Sequence, residues 1–258
     1  MTAQLPDLIF LTVLGLAFGS FLNVCIHRLP LGLSLASPPS RCPACGYQLR
    51  WYDNIPVVSY AILGGRCRGC RAAISIQYPI VEVLTAVLFA LHGWTFGMHA
   101  VLVPKLLFAC AMVVLFAIDL EHQILPNAIT LPGVVIGLLF SVLLPPPDLV
   151  SALIGAAVGG GVLFVIGEAW YRLRNIEAMG FGDVKMLAMV GAFLGWKLVV
   201  LTFVLSSFLG GIAGVVLIAS RRGGLASKVP FGTFLAAAAL VASLWGDRVI
   251  DWYLGLYL

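Results

Sequence analysis

Charge is what this chain has least of. Of its 258 residues, 10% are Asp, Glu, Lys or Arg, against about 25% in an ordinary soluble domain. Hydrophobic residues make up 61% of it, a balance that argues against a soluble globular domain. Other absences narrow the field further. The apolar runs are continuous, with none of the alternation of a membrane β-barrel. No Walker-type phosphate loop is present, and the "GGG" at 159–161 lies inside an apolar run, where it reads as helix packing. No serine sits in a Gly-x-Ser-x-Gly elbow, which removes one common nucleophile. The four histidines, His27, His92, His99 and His122, are scattered, and His122 reads as a solvated loop residue. There is no repeat of 20 to 50 residues and no low-complexity tract. The opening "MTAQLPDLIF" lacks a basic n-region, so the first apolar run is expected to be a retained span and not a cleaved signal peptide.

What is present is a series of apolar runs near the ~20 residues that a helix needs to cross ~30 Å of hydrocarbon. Eight spans are expected, at about 5–26, 78–96, 100–118, 128–144, 149–170, 184–196, 198–219 and 229–246. The sixth is short and begins within "MGFGDVKM", residues 179–186, where Asp183 and Lys185 interrupt the apolar sequence. The expected fold is an all-α polytopic membrane protein: a first transmembrane helix (1–26), a zinc-ribbon-like loop (27–77) and a seven-helix region (78–258).

Basic residues set the orientation. With the N-terminus outside, the inner loops collect twelve Lys or Arg, including Arg28, Arg41, Arg50, Arg66, Arg68, Arg71, Arg172, Arg174, Arg221, Arg222 and Lys228, against Lys105, Lys197 and Arg248 outside. The positive-inside rule then makes 27–77 cytoplasmic and puts both termini outside. Gly155 with Gly159, and Gly210 with Gly214, are spaced to let helix backbones approach closely. The aromatics of the closing "DWYLGLYL" suit an interfacial anchor.

The long polar loop carries "CPAC" at 42–45 and "CRGC" at 67–70, separated by twenty-one residues. Two such knuckles can offer Cys42, Cys45, Cys67 and Cys70 as a tetrahedral thiolate set, the pattern of a structural zinc site. Two disulfides are the other reading, disfavoured in a reducing cytoplasm. A catalytic zinc is disfavoured too, because four thiolates leave no open position for water. Six arginines against Asp53 give the loop a net charge of +5, which raises nucleic-acid binding as a function. The positive-inside rule already accounts for those arginines, so no nucleic-acid partner is expected. Cys25 and Cys110 lie in apolar spans and read as small buried hydrophobes.

Only eleven acids occur in the chain. Asp7, Asp148, Asp247 and Asp251 fall near span ends on the outer side, and Glu82, Asp119, Glu121, Glu168, Glu177 and Asp183 toward the inner side. Two have unusual settings. Asp119 closes a long apolar run and precedes Pro126-Asn127 by seven residues, while Asp183 follows Gly180-Phe181-Gly182 and opens a span. Both are expected at the same depth, where a helix bundle can bring them together across sixty-four residues of sequence. Two carboxylates in a partly dry site share one proton, the condition of aspartic-protease chemistry. Glycines beside Asp183 would let a substrate backbone approach. A structural salt bridge, such as Asp183 with Lys185, is equally compatible with the spacing. The rival class, a proton- or ion-coupled transporter using the same two acids, would favour carboxylates nearer mid-membrane, whereas these are expected at one surface.

Together the segments "GSFLNVCIHRLP" (19–30), "CPACGYQLRWYDNIPVVSY" (42–60), "GRCRGCRAAISIQYPIVEVLTA" (65–86), "DLEHQILPN" (119–127) and "GFGDVKMLAMVGAFLG" (180–195) resemble the bifunctional type IV prepilin peptidases, or prepilin leader peptidase/N-methyltransferases. The Gly-x-Gly-Asp motif alone is shared with presenilin-like proteases. The resemblance implies an intramembrane aspartic endopeptidase of the bacterial inner membrane, with Asp119 and Asp183 as its catalytic pair and the four cysteines as zinc ligands. It further implies removal of the basic leader of type IV prepilins or type II secretion pseudopilins after a glycine, at the cytoplasmic membrane face. The new N-terminal residue would then be methylated from S-adenosylmethionine. Nothing here looks like a Rossmann-type cofactor loop, so the residues that hold the methyl donor are not legible.

Overall fold

The computed structural model describes residues 3–174, 180–220 and 230–256. Met179, Glu177, Arg221, Arg222 and Lys228 lie outside the described residues. The chain divides into two compact units, Met1–Leu102 and Val103–Leu258. Among the described residues the regular elements are helices, with two isolated β-bridges and no strand.

The first unit contains α1 (Leu5–Arg28), a short 3-10 turn (Trp51–Asn54), α2 (Val58–Ile62) and α3 (Gln77–Phe96). Pro6 sits in the first turn of α1, where it loses no intrahelical hydrogen bond, and the Asp7 carboxylate accepts the Gln4 N–H at 2.9 Å. His27 and Arg28 close the helix, complementing its negative end. Gly15 and Gly19 let α1 lie directly on α3: a Cβ at either would come within 2.6 Å of the Cα of Ala86 or Glu82, respectively. Asn23 then ties the start of α3 down by donating to the carbonyls of Gly19 (3.2 Å) and Tyr78 (3.1 Å).

The second unit is a bundle of α4 (Leu102–His122), α5 (Asn127–Leu143), α6 (Leu149–Arg174), α7 (Phe181–Ala219) and α8 (Phe231–Leu254). Its core interleaves Phe108, Met112 and Leu115 of α4 with Met186, Met189, Val190 and Phe193 of α7 and Leu235, Ala236 and Ala239 of α8. Outward faces carry large exposed apolar side chains, among them Val135, Val165 and Phe208, as expected of helices that meet lipid tails.

Among the described residues six helices are long and apolar enough to cross a membrane, and α5, at 17 residues, is a shorter apolar one. Because α7 is broken at Gly195, whose φ of 81° and ψ of 175° are not helical, the eight expected apolar segments are all accounted for. The break falls at the expected junction of the sixth and seventh. A Cβ on Gly195 would stand 2.6 Å from the Ser151 Oγ and 3.1 Å from the Pro147 Cβ, so both its backbone conformation and its surroundings require glycine. The chain is therefore an all-helical, multi-pass membrane protein.

Boundaries moved at the places that matter for chemistry. α4 continues past 118 to His122, which puts Asp119 inside its last turn, and α7 starts at Phe181, which puts Asp183 inside its first. α8 runs on from 246 to Leu254. Of the two glycine pairs, Gly155 and Gly159 do abut the backbone of α7, at Gly191 and Leu187. Gly210 makes only ordinary contact with the rings of Phe231 and Phe234, and a Cβ on Gly214 would meet nothing, so the spacing at 210 and 214 does not mark a close helix crossing.

Candidate active site and metal centre

Three helix ends converge in the second unit. The α4–α5 turn carries Leu125, whose side chain packs against Gly182 at the start of α7 and Gly232 at the start of α8; a Cβ on either would lie 3.0 Å from it. That packing brings Asp119 and Asp183 within electrostatic reach of each other. Asp119 is 5% exposed. Its Oδ2 accepts the backbone N–H of Thr233 at 2.6 Å and the Thr233 hydroxyl at 3.0 Å, while Gly232 leaves room for the carboxylate, since a Cβ there would be 3.0 Å from its Cγ. Asp183 is partly buried. Its N–H bonds the Gly180 carbonyl at 3.1 Å.

The salt-bridge reading of Asp183 is not what the structure contains. Lys185 donates its Nζ to the Asn127 Oδ1 at 2.9 Å, fastening α7 to the start of α5. Among the described residues the ion pairs are Arg68 with Asp53, Arg172 with Glu168 and His122 with Glu121, so neither Asp119 nor Asp183 is neutralised by a cation. The two glycines beside Asp183 also differ: Gly182 is filled by Leu125, whereas among the described residues a Cβ on Gly180 would meet only the Asp183 Oδ2 at 3.7 Å and the Gly182 N at 3.9 Å. Clearance for an approaching backbone is thus confined to Gly180.

In the first unit the four loop cysteines gather. Cys42, Cys45, Cys67 and Cys70 are free thiols whose sulfurs all lie within 4.8 Å of one another. Cys42 and Cys70 are 3.9 Å apart, and Cys45 and Cys67 4.0 Å. A tetrahedral ion with four sulfurs at ~2.3 Å has sulfur–sulfur edges of about 3.8 Å, so the set fits such an ion and is too open for disulfides. Each knuckle is built alike. Cys42 N–H bonds the Tyr47 carbonyl and Cys67 N–H the Ala72 carbonyl, closed by the bridges Arg41–Gln48 and Arg66–Ala73. Backbone N–H groups of Cys45 and Ala44 aim at the Cys42 sulfur and lower that thiol to about 7. Cys45, despite an N–H from Tyr47, is pushed up to about 11 by desolvation and by its neighbouring thiols. Four clustered sulfurs shed their protons together only around a cation.

Asp53 joins the two knuckles. Its Oδ1 accepts the Arg68 Nε–H at 2.7 Å, and its Oδ2 accepts the Tyr47 hydroxyl and the Arg50 N–H, each at 3.2 Å. Desolvation would raise the carboxyl, but the Arg68, Arg50 and Tyr47 donors outweigh it and hold it below its ordinary value.

Thr233 and Gly232 escaped the sequence reading because they carry no charge and sit in an unremarked "PFGTF". The available signal was a parallel between Phe181-Gly182-Asp183 and Phe231-Gly232-Thr233, two helix starts that place a small residue before a polar one.

Comparison with known proteins gives the family. A family model described as the bacterial peptidase A24 N-terminal domain matches residues 13–96, and one described as the type IV leader peptidase family matches 106–215. The chain is 39% identical over 265 residues to the prepilin leader peptidase/N-methyltransferase of Pseudomonas aeruginosa, covering 94% of this chain and 91% of that protein. It is 40% identical over 281 residues to the protein of the same name from Aeromonas salmonicida, covering 98% and 97%. No solved structure matches it.

Proposed function

The chain belongs to the type IV leader peptidase family, and from that premise we propose that Asp119 and Asp183 are its catalytic dyad, cutting the basic leader from type IV prepilins or type II secretion pseudopilins after a glycine. The enzyme is a prepilin leader peptidase/N-methyltransferase by kinship, and the transporter reading is not favoured. The observation that supports the dyad is the packing of Leu125 against Gly182 and Gly232, which draws the ends of α4 and α7 together and sets two carboxylates from sixty-four residues apart within electrostatic reach, neither in an ion pair among the described residues.

The reaction follows from that pair. Two donors from Thr233 converge on the Asp119 Oδ2, so Asp119 is placed to carry the negative charge and Asp183 the shared proton. Asp119 takes a proton from water as the water oxygen bonds to the peptide carbonyl carbon, and Asp183 gives its proton to the carbonyl oxygen. When the tetrahedral intermediate collapses, the carbon–nitrogen bond breaks and the leaving nitrogen takes a proton from the dyad. The leader keeps a new carboxylate and the pilin a new amino terminus.

The metal in the four-cysteine set is proposed to be zinc, held by Cys42, Cys45, Cys67 and Cys70 with no open position, hence structural. S-adenosylmethionine is the proposed methyl donor; when bound it supplies an electrophilic methyl group to the new amino terminus. The proposed location is the bacterial inner membrane, with both termini outside and the dyad toward the cytoplasm, a reading supported by the distribution of basic residues along the sequence. The test is to mix the purified protein with a prepilin and S-adenosylmethionine and weigh the product. Loss of the leader reports the peptidase, and a gain of one methyl group reports the transferase.

A further inference from the structure

The first unit encloses a cavity of ≈680 Å3, within the range of small-molecule sites. Its floor is formed by α1 and α3, where Ser20, Asn23 and Glu82 face it, and its walls by the cysteine knuckles and α2. Glu82 is 7% exposed and belongs to no ion pair among the described residues. Its Oε2 accepts the Val57 N–H at 2.7 Å, and Ser20 lies beside it. Val57 is held at φ 60° and ψ −46°, a conformation that β-branched residues avoid. Backbone strain of that kind persists where surrounding structure imposes it, most often at ligand sites. Here it aims an N–H at the one acid on the cavity floor.

A buried carboxylate without a cation is costly; the Val57 N–H offsets part of that cost, and no cation among the described residues pairs with it. The rim has the opposite character: Arg28 and Arg41 line it with no ion pair among the described residues, beside Arg68, which is paired with Asp53, and Arg28 braces the loop by donating to the carbonyls of Ser34 and Pro38. A ligand suited to this space has a cationic part for the floor and an anionic part for the rim. A basic leader peptide meets repulsion at the arginines, whereas a small zwitterion whose cationic and anionic groups are separated does not.

We infer that this cavity is the methyl-donor site, with the Glu82 carboxylate toward the sulfonium charge of S-adenosylmethionine and the arginines of the rim toward its carboxylate. The assignment rests on the methyl-transfer reading above and deepens it by giving that activity its own site.

The experiment is binding, measured without turnover, by titrating S-adenosylmethionine and S-adenosylhomocysteine calorimetrically into the full-length, zinc-loaded protein in detergent. Glu82→Gln keeps an oxygen for the Val57 N–H but removes the charge. It is expected to weaken the sulfonium ligand roughly ten- to a hundredfold, the worth of a charged hydrogen bond, and the uncharged thioether less. Val24→Phe, which fills the cavity from α1, is expected to abolish binding of both. Both variants should cleave prepilin at the wild-type rate and keep their zinc. Wild-type affinity in both variants overturns the site while leaving the activity standing. Failure of the wild-type protein to bind or transfer a methyl group overturns the methyl-transfer reading itself. Loss of leader cleavage with unchanged donor affinity gives the cavity to the peptide and also overturns the assignment.

Discussion

Thr233 gives both its N–H, at 2.6 Å, and its hydroxyl, at 3.0 Å, to the same oxygen of Asp119. The start of α8 thereby supplies two fixed donors where the proposed dyad concentrates its negative charge. Thr233→Val keeps the shape and the N–H but deletes the hydroxyl. Loss of a hydrogen bond to a charged group, about 1.5–3 kcal/mol, should slow cleavage roughly ten- to a hundredfold, and Thr233→Ser should restore most of it. Initial rates of prepilin processing at saturating substrate check this. A valine variant as fast as the wild type would show that the hydroxyl does not serve the reaction.

Asp119→Asn and Asp183→Asn each remove one carboxylate with little change in volume. Neither residue balances a cation among the described residues, so the bundle should insert and fold normally in both. Cleavage should fall by at least ~10³-fold in each, as expected when a group that handles protons in the transition state is lost. The masses of a co-expressed prepilin, together with the zinc content of the purified variants, provide the measurement. Normal processing by both single variants would remove the dyad.

The pattern of greasy and polar segments was enough to place all eight apolar segments, because burial in lipid leaves a signal in every residue of a span. The two aspartates and four cysteines stood out for the same reason: each is expensive or unusual where it occurs. Thr233 was silent, since a threonine near a helix start is ordinary until the fold brings it to a carboxylate 114 residues away. Glu82 was legible as an inner-side acid but not as a cavity floor, because that depends on how Gly15 and Gly19 seat α1 against α3. Lys185 looked like a partner for Asp183 only because the two are close in sequence. In the helix it points to Asn127.

Removing the metal should act locally. The knuckles have no strands and little apolar core of their own, so their order depends on the cysteine set and on Asp53. Chelation should raise amide exchange across residues 40–75 and leave α4 to α8 protected; an equal rise in the helices would show that the metal supports the whole chain. Asp53→Asn should cost about 1–3 kcal/mol of loop stability and speed metal release at neutral pH. Because the Asp53 carboxyl is held below its ordinary value, its contribution is complete at neutral pH. It is lost only as pH falls through that lowered value.

The glycines around the dyad should separate by what they touch. A methyl group at Gly232 would stand 3.0 Å from the Cγ and Oδ2 of Asp119, and one at Gly182 3.0 Å from the Leu125 Cβ, whereas one at Gly180 meets nothing closer than 3.7 Å among the described residues. Gly232→Ala must therefore displace the carboxylate or tilt α8, and cleavage should drop at least about tenfold, with the zinc loop unaffected. Gly182→Ala should act through the displaced Leu125, lowering the thermal stability of the bundle as well as the rate. Gly180→Ala should fold with native stability, which makes it the clean probe of substrate approach. If the peptide backbone passes over Gly180, the alanine variant raises KM for prepilin while its melting temperature stays fixed. If KM is unchanged, the substrate enters from another side of Asp183.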